Sequence, residues 1–277
     1  MQDSIIHTKH LLPILDEMLI DLLQSLTKEE WDKPTIAKQW SVKDIAAHLL
    51  DTNLRTLSFG RDGHQLIPDI SVETYPDLVS YLNQLNADWV KAAKRLSATV
   101  LIDLLKSSGR EFCNFIQAAD LHSEAVFSVA WAGEASSKNW FHIAREYTEK
   151  FIHQQQIRDA VNKPALITKE LFHPFIDTFM RALPYTYRNT NAPEATAIAI
   201  TVSSEAGGTW FIKRNNAAWV LVSEPEEKLS AHITMNPSTA WKLFSKGITP
   251  AEARADVIID GNEELGAVAL TMISVMA

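Results

Sequence analysis

Residues 137–161 read SKNWFHIAREYTEKFIHQQQIRDAV, and the rest of the chain is organised around them. The stretch opens on a serine suited to cap a helix, and it meets no Gly or Pro before Pro164. The sequence therefore predicts one long helix. Glu149 and His153 are four residues apart, so they stand one turn above each other on one face. A carboxylate and an imidazole so placed can reach one ion. His142, Arg145, Glu146, Gln156 and Arg158 add further polarity. Trp140, Phe141, Ile143, Tyr147, Phe151, Ile152 and Ile157 are interleaved with them. That mixture predicts apolar faces packed in a bundle and one polar stripe facing something wet and functional. The plain alternative is a solvated face carrying an incidental Glu–His pair.

The chain has 277 residues, enough for one large domain or two modest ones. Apolar residues make up 46%, with eight Trp and eleven Phe, so a substantial core can be buried. Formal net charge is −8, from 34 acidic and 26 basic residues, and no basic stretch is interleaved with aromatics. A nucleic-acid-binding surface needs a basic patch, so that class is excluded. The single cysteine, Cys113, rules out an internal disulfide. Its neighbours in REFCNFIQ are largely apolar and nothing near it in sequence lowers its pKa, so it reads as a small core residue and not a nucleophile. MQDSIIHTKHLLPIL at the N-terminus carries Asp3 and no basic start, which is not the pattern of a signal peptide. The longest nearly apolar run, AVALTMISVMA, is too short to span a bilayer. The expectation is a cytoplasmic protein with a small-molecule partner, neither nucleic acid nor membrane. The sequence sets no oligomeric state.

The first half reads as helices. Residues 7–26 place Leu11, Leu12, Leu15, Met18, Leu19, Leu22, Leu23 and Leu26 at helical spacing. Thr27 to Glu30 is a capping-box pattern. Ser41 caps a second main helix, with Asp44 in its first turn, that runs to Gly60. His48 lies in its middle, with Asp44 at i−4, Asp51 at i+3 and Arg55 at i+7. A lone His on such a helix is either a hydrogen-bonded core residue or a ligand on a polar face. After a loop at 60–73, helices are predicted from about 76 to 96 and from about 97 to 119, with a break at Gly109. A loop at 122–136 leads into the 137–161 helix, and one more helix spans 168–183. No strand signal precedes residue 190. The reading is an antiparallel bundle of about four long helices.

Beyond residue 186 the period switches to alternation. ATAIAITVS, TWFIK, AAWVLV and AHITM read as four strands, with a turn at Arg214–Asn216. A helix at 238–246 follows, then Thr249-Pro-Ala-Glu252 as a capping box, a fifth strand ADVIID, and a closing helix at 262–276. The predicted fold class is α plus α+β: residues 1–185 as a helical bundle, then residues 186–277 as a small α+β domain.

Trp40-Ser-Val-Lys-Asp-Ile-Ala-Ala-His48-Leu is similar to a W-x-x-x-D-x-x-x-H-L segment, and Arg145-Glu-Tyr-Thr-Glu149-x-x-x-His153-Gln-Gln-x-Ile-Arg158 to a late-helix motif, of the DinB-like bundle family. More closely, the chain resembles its maleylpyruvate isomerase branch. Asp256-Val-Ile-Ile-Asp-Gly261 and the final helix resemble the sterol-carrier-protein-like domain appended in that branch. The resemblance spans essentially the whole chain. It implies a DinB-like four-helix bundle with one metal held by His48, Glu149 and His153, and a low-molecular-weight thiol activated there and passed to an electrophile. It also implies a basic side chain from the second domain to hold a carboxylate. Two imidazoles and a carboxylate suit zinc, and also nickel or ferrous iron. Three protein ligands leave a position for water or a thiolate.

Around that site, Asp44 and Asp51 are candidates to orient His48. Arg55 is the first-domain candidate for steering an anionic substrate. Arg214, Arg254, Lys213, Lys242 and Lys246 are the second-domain cations, with Arg214 read as a solvated turn residue. Mycothiol users of the branch tend to be rich in Ala, Gly and Arg. This chain has only nine Gly and is well supplied with Ile, Lys and Asn, a pointer to a different thiol or to none. Two functions follow. One is a metal-dependent isomerase or thiol transferase. The other is a non-catalytic carrier of an apolar or acidic small molecule with a vestigial metal site, motivated by Trp210, Trp219 and Trp241.

Overall fold

The computed structural model describes residues 4–276. Met1, Gln2, Asp3 and Ala277 lie outside the described residues, and with them the outermost positions of both expected domains. Helices come first: α1 (Leu11–Gln24), α2 (Lys28–Trp31), α3 (Val42–Thr56), α4 (Tyr75–Ala93), α5 (Ala98–Ala118), α6 (Asn139–Val161), α7 (Lys169–Met180) and α8 (Leu183–Thr186). Strands β1 (Ala197–Val202), β2 (Gly208–Asn215), β3 (Ala218–Val222) and β4 (Ala231–Met235) follow. Then come α9 (Pro237–Phe244), α10 (Pro250–Ala253), β5 (Val257–Gly261) and α11 (Glu263–Ala269). This is the α plus α+β class read from the sequence. Among the described residues no helix is long and apolar enough to cross a membrane.

Contacts divide the chain into two compact units that do not follow chain order. One holds residues 9–120 and 149–164, and the other holds residues up to Thr8, 121–148 and 165–275. Residues 121–148 and 165–185 thus group with the sheet and not with the first helices, unlike the linear boundary expected at residue 186. Specific bonds explain the grouping. Trp210 Nε1–H donates to Asp177 Oδ1 at 2.8 Å, Tyr187 O–H to the Leu265 carbonyl at 2.8 Å, and Ser274 O–H to the Phe179 carbonyl at 3.1 Å.

The first unit is helical. Leu19, Leu22 and Leu23 of α1, Val42, Ile45 and Leu49 of α3, Leu101 and Leu105 of α5, and Ile157 and Val161 of α6 share one core. Their spacing along each helix is the apolar stripe seen in the sequence. Reciprocal capping boxes open α2 (Thr27 with Glu30), α3 (Ser41 with Asp44) and α4 (Thr74 with Asp77), each satisfying two orphan N–H groups. Two expectations are corrected here. The chain does not stop at Gly60 but runs on from α3 as a π-helical turn, Leu57–Arg61. Nor does α5 break at Gly109, where the missing Cβ serves packing: one placed there would stand 2.2 Å from the Asp16 carboxylate of α1.

The second unit carries a five-stranded sheet in the order β3-β2-β1-β4-β5. Only the β1–β4 pair is parallel. Alternation sets its buried face: Ala231, Ile233 and Met235 of β4 are buried while His232 and Thr234 are less so. Trp210, Trp219 and Trp241 are all core residues, the last only 1% exposed. The hairpin turn falls at Asn216 and Ala217, whose φ values are 49° and 64°, one residue later than expected, so Arg214 belongs to β2. The final helix ends at Ala269 and not near 276. Ser274 explains this, because its N–H goes to the Phe244 carbonyl and its hydroxyl to that of Phe179, away from a helical path.

Gly261 ends β5 at φ +91°, and a Cβ there would meet the Ser230 carbonyl oxygen at 2.5 Å. Gly261→Ala is expected to cost about 1–3 kcal/mol of stability, from left-handed backbone strain and that clash. Urea denaturation of the full chain checks this, and an unchanged midpoint would refute it.

Candidate metal centre

The first unit contains the sequence-predicted ligands. On α3, the Ser41–Asp44 cap fixes the start, and Ile45, Ala46, Leu49 and Leu50 are buried and fix the rotation. That rotation leaves His48 buried at 6% exposure on the neighbouring face. On α6, buried Phe151, Ile152 and Ile157 set the rotation that presents Glu149 and His153. The two imidazoles meet edge to face, with ring centroids 4.6 Å apart and planes at 74°. Glu149 Oε2 lies 3.6 Å from His153 Nε2. On its other ring nitrogen, His153 Nδ1 is bonded to Gln156 Oε1 at 3.0 Å. His48 Nδ1 is buried with no hydrogen-bond partner.

Trp40 lies against both rings, 4.8 Å from His48 and 6.1 Å from His153 by centroid. It is pinned from the loop before α3. Its carbonyl accepts from the N–H and the hydroxyl of Thr35, at 3.1 and 2.8 Å, and its N–H donates to the Ala37 carbonyl at 2.7 Å. Behind the site Lys150 donates to Asn53 Oδ1 and sits 4.3 Å from the Phe112 ring centre, while Asn53 donates to Ser108 Oγ at 3.1 Å. That chain of contacts ties α3, α5 and α6 through polar atoms inside the bundle.

Burial pushes the His48 imidazole well below its usual pKa, and the charges of His153, Arg55 and Lys150 push the same way. His48 is therefore neutral near pH 7, the form that offers a lone pair. Burial raises the Asp51 carboxyl, and the neighbouring Arg55 guanidinium opposes it.

The expected partners of His48 bond elsewhere. Asp44 Oδ2 accepts the Ser41 N–H at 3.0 Å and the Ser41 hydroxyl at 2.9 Å, so it closes the helix cap. Asp51 Oδ2 is 2.8 Å from Arg55 Nε. Neither carboxylate reaches the orphaned Nδ1. Arg55 is 41% exposed and close enough for its charge to act on His48. Of the polar stripe of α6, Gln156 and Arg158 are buried, Arg158 donating to the carbonyls of Met18 and Lys163, while His142, Arg145, Glu146, Glu149 and His153 are half-buried. In the other unit, Arg145 bonds His142 Nδ1 at 2.9 Å and Glu146 Oε1 at 2.7 Å. Arg214 is half-buried, 5.9 Å from the Trp219 ring centre, with Nη1 buried and unpartnered, which corrects its reading as a solvated turn residue. Lys213 pairs with Glu227, and Arg254 with Glu263 at 2.8 Å.

Among the described residues no group of three or more His, Cys, Asp or Glu side chains is placed so that it could hold a metal ion. The donor chemistry nonetheless fits one. A carboxylate oxygen and an imidazole nitrogen face each other at 3.6 Å, and an unpartnered buried imidazole stands beside them. Two donors on one tetrahedral ion at about 2.0–2.1 Å stand about 3.3 Å apart. In the sequence Gln156 stands out only as one of the polar residues of the helix, and Trp40 only as part of the W-x-x-x-D-x-x-x-H-L string. The signal for Gln156 was its position three residues after His153, and nothing local to Trp40 placed its ring over two histidines.

Helices followed by a small mixed sheet, with two histidines and a glutamate meeting on two helices, define the class. The model of the mycothiol maleylpyruvate isomerase N-terminal domain matches residues 12–158, and the chain belongs to that family. That membership places it in an enzyme family. Two solved structures are similar over most of the chain. One is a point mutant of the mycothiol-dependent maleylpyruvate isomerase, 8% identical, covering 91% of both chains at a TM-score of 0.56. The other is that isomerase itself, 10% identical, covering 85% of this chain and 86% of that one at 0.53. At these identities the likeness is one of fold. No curated protein sequence matches the chain.

Cys113 takes no part in the site. It is buried, and burial, helped by the charge of Asp16, pushes its thiol up to about 11, against an opposing pull from Lys150. At pH 8 the folded protein is expected to react with a thiol reagent about 100-fold more slowly than the urea-unfolded chain, the ratio set by two pH units of thiolate fraction. Absorbance kinetics with an aromatic disulfide reagent measure this, and equal rates would contradict the buried placement.

Proposed function

We propose that the chain is a metal-dependent, cytoplasmic enzyme of the maleylpyruvate isomerase or thiol S-transferase type, with His48, Glu149 and His153 holding the ion. Residues 1–185 are read as its DinB-like part and residues 186–277 as its sterol-carrier-protein-like part. The observation that carries the reading is the gap between Glu149 Oε2 and His153 Nε2, 3.6 Å wide and flanked by the unpartnered imidazole of His48. A carboxylate oxygen and an imidazole nitrogen at that separation are placed for one cation to join them. Family membership supports the same choice.

Two imidazoles and one carboxylate suit zinc, with nickel or ferrous iron as further fits. With an open position such an ion, when bound, acidifies a thiol or a water. The chain's own residues do the rest. Burial keeps His48 neutral and ready to ligate. Trp40 packs an apolar ring against His48 and near His153. Arg55 is part-exposed and ion-paired with Asp51, and it is the α3 cation assigned to draw in an anionic substrate. The activated group is a low-molecular-weight thiol or water, and the acceptor an electrophilic small molecule. The two similar structures are of a mycothiol-dependent enzyme, but nine Gly and an Ile-, Lys- and Asn-rich composition leave the thiol of this chain to be found by screening. The carrier reading loses its motive, since Trp210, Trp219 and Trp241 are packed core.

Untagged wild type is expected to carry close to one divalent ion per chain by plasma mass spectrometry, and His153→Ala to lose it. A metal-free wild type after reconstitution with zinc, nickel and ferrous iron would end the metal-dependent reading. Arg55→Ala is expected to leave metal content unchanged and raise KM for an anionic electrophile several-fold with little effect on kcat. Steady-state kinetics on the pair found by screening thiols against electrophiles tests that split, and an unchanged KM removes Arg55 from substrate steering.

A further inference from the structure

We propose that Gln156 is a positioning residue that fixes His153 as the Nδ1–H tautomer and leaves Nε2 bare toward Glu149. A neutral imidazole carries its proton on one nitrogen, and the better acceptor decides which. At Nδ1 the Gln156 amide oxygen is 3.0 Å away, an ordinary hydrogen-bond length. At Nε2 the nearest carboxylate oxygen is 3.6 Å away, beyond that range. Gln156 is 6% exposed, so water does not compete freely for the bond. Both residues lie on α6 at i and i+3, so the contact is set by the helix itself and exists before any ion arrives. His48 is the contrasting case, because its Nδ1 has no such partner. The centre is therefore asymmetric, with one imidazole oriented in advance and one not.

The consequence for metal affinity rests on the reading above, whereas the tautomer does not. A neutral amide orients the ring without the extra basicity that a carboxylate partner confers on a ligating imidazole. Glutamate at position 156 would keep the acceptor and add that basicity. Leucine of similar size would remove the acceptor.

The test uses the full chain labelled with 15N-histidine, free of metal, at a pH where His153 is neutral. Long-range proton–nitrogen spectra of wild type are expected to show His153 with a protonated Nδ1 and a bare Nε2. Gln156→Leu is expected to move the proton to Nε2 in a sizeable fraction of molecules, and Gln156→Glu to restore the wild-type pattern. In a chelator competition with zinc, Gln156→Leu is expected to bind about 10–100-fold more weakly than wild type, and Gln156→Glu at least as tightly as wild type. A wild-type His153 protonated on Nε2 overturns the proposal, as does a folded Gln156→Leu with an unchanged tautomer. If Gln156→Leu does not fold, the wild-type spectrum decides alone. If wild type binds none of zinc, nickel and ferrous iron, the metal reading fails while the tautomer spectra still decide the role of Gln156.

Discussion

A helix that buries histidine, glutamine and arginine side chains must satisfy their polar atoms without water, and the candidate site depends on how α6 meets that demand. Between Tyr147 and Arg158 most positions of α6 are buried, polar and apolar alike. Each unmet polar atom there costs roughly 1–3 kcal/mol. Local bonds answer much of the demand: Thr148 to the Arg145 carbonyl, His153 to Gln156, and Arg158 to two carbonyls. Lys150 answers it across helices by reaching Asn53. A few atoms remain unmet, among them Gln154 Nε2, Gln155 Oε1 and Arg158 Nε as well as His48 Nδ1. Of these, His48 packs edge to face against His153, with ring centroids 4.6 Å apart.

The electrostatics of the same region work in one direction. Arg55 and Lys150 lie near His48 and, with burial, hold it neutral. A neutral imidazole keeps one ring nitrogen unprotonated, the form in which histidine can ligate a metal. Trp40 adds an apolar wall against both rings. Such walls lower the local dielectric and strengthen the attraction of the donors for a cation. The acids that look closest to His48 along α3 do not take part directly. Asp44 is engaged by the helix cap and Asp51 by Arg55.

Much of the fold was legible because it rests on local rules. Apolar spacing marked α1, α3 and α6, and Thr-x-x-Glu and Ser-x-x-Asp patterns marked where α2 and α3 begin. Alternation marked the first four strands, with β4 burying the residues on the expected face. The misses share a cause, which is a contact from far along the chain. Gly109 does not break α5, because its absent side chain makes room for Asp16, more than ninety residues earlier. The closing helix stops early because Ser274 bonds the carbonyls of Phe244 and Phe179. The polar stripe of α6 is enclosed only in part, at Gln156 and Arg158, which the pattern did not show because sequence records polarity and not enclosure.

By itself the sequence determined most element types, the caps of α2 and α3, the α plus α+β order and the Glu149–His153 pair, since each follows from spacing along one segment, whereas Ser137, expected to cap α6, instead bonds the Val129 N–H and Glu134. The motif strings around His48 and His153 also carried the family. Tertiary structure decided the rest. It brought His48 within 4.6 Å of His153 and laid Trp40 over both rings. It turned Asp44 and Asp51 away from His48 and grouped residues 121–148 and 165–185 with the sheet. Spacing fixes which face of a helix a side chain occupies. Only the packing of other segments against that face fixes what the side chain meets and whether water reaches it.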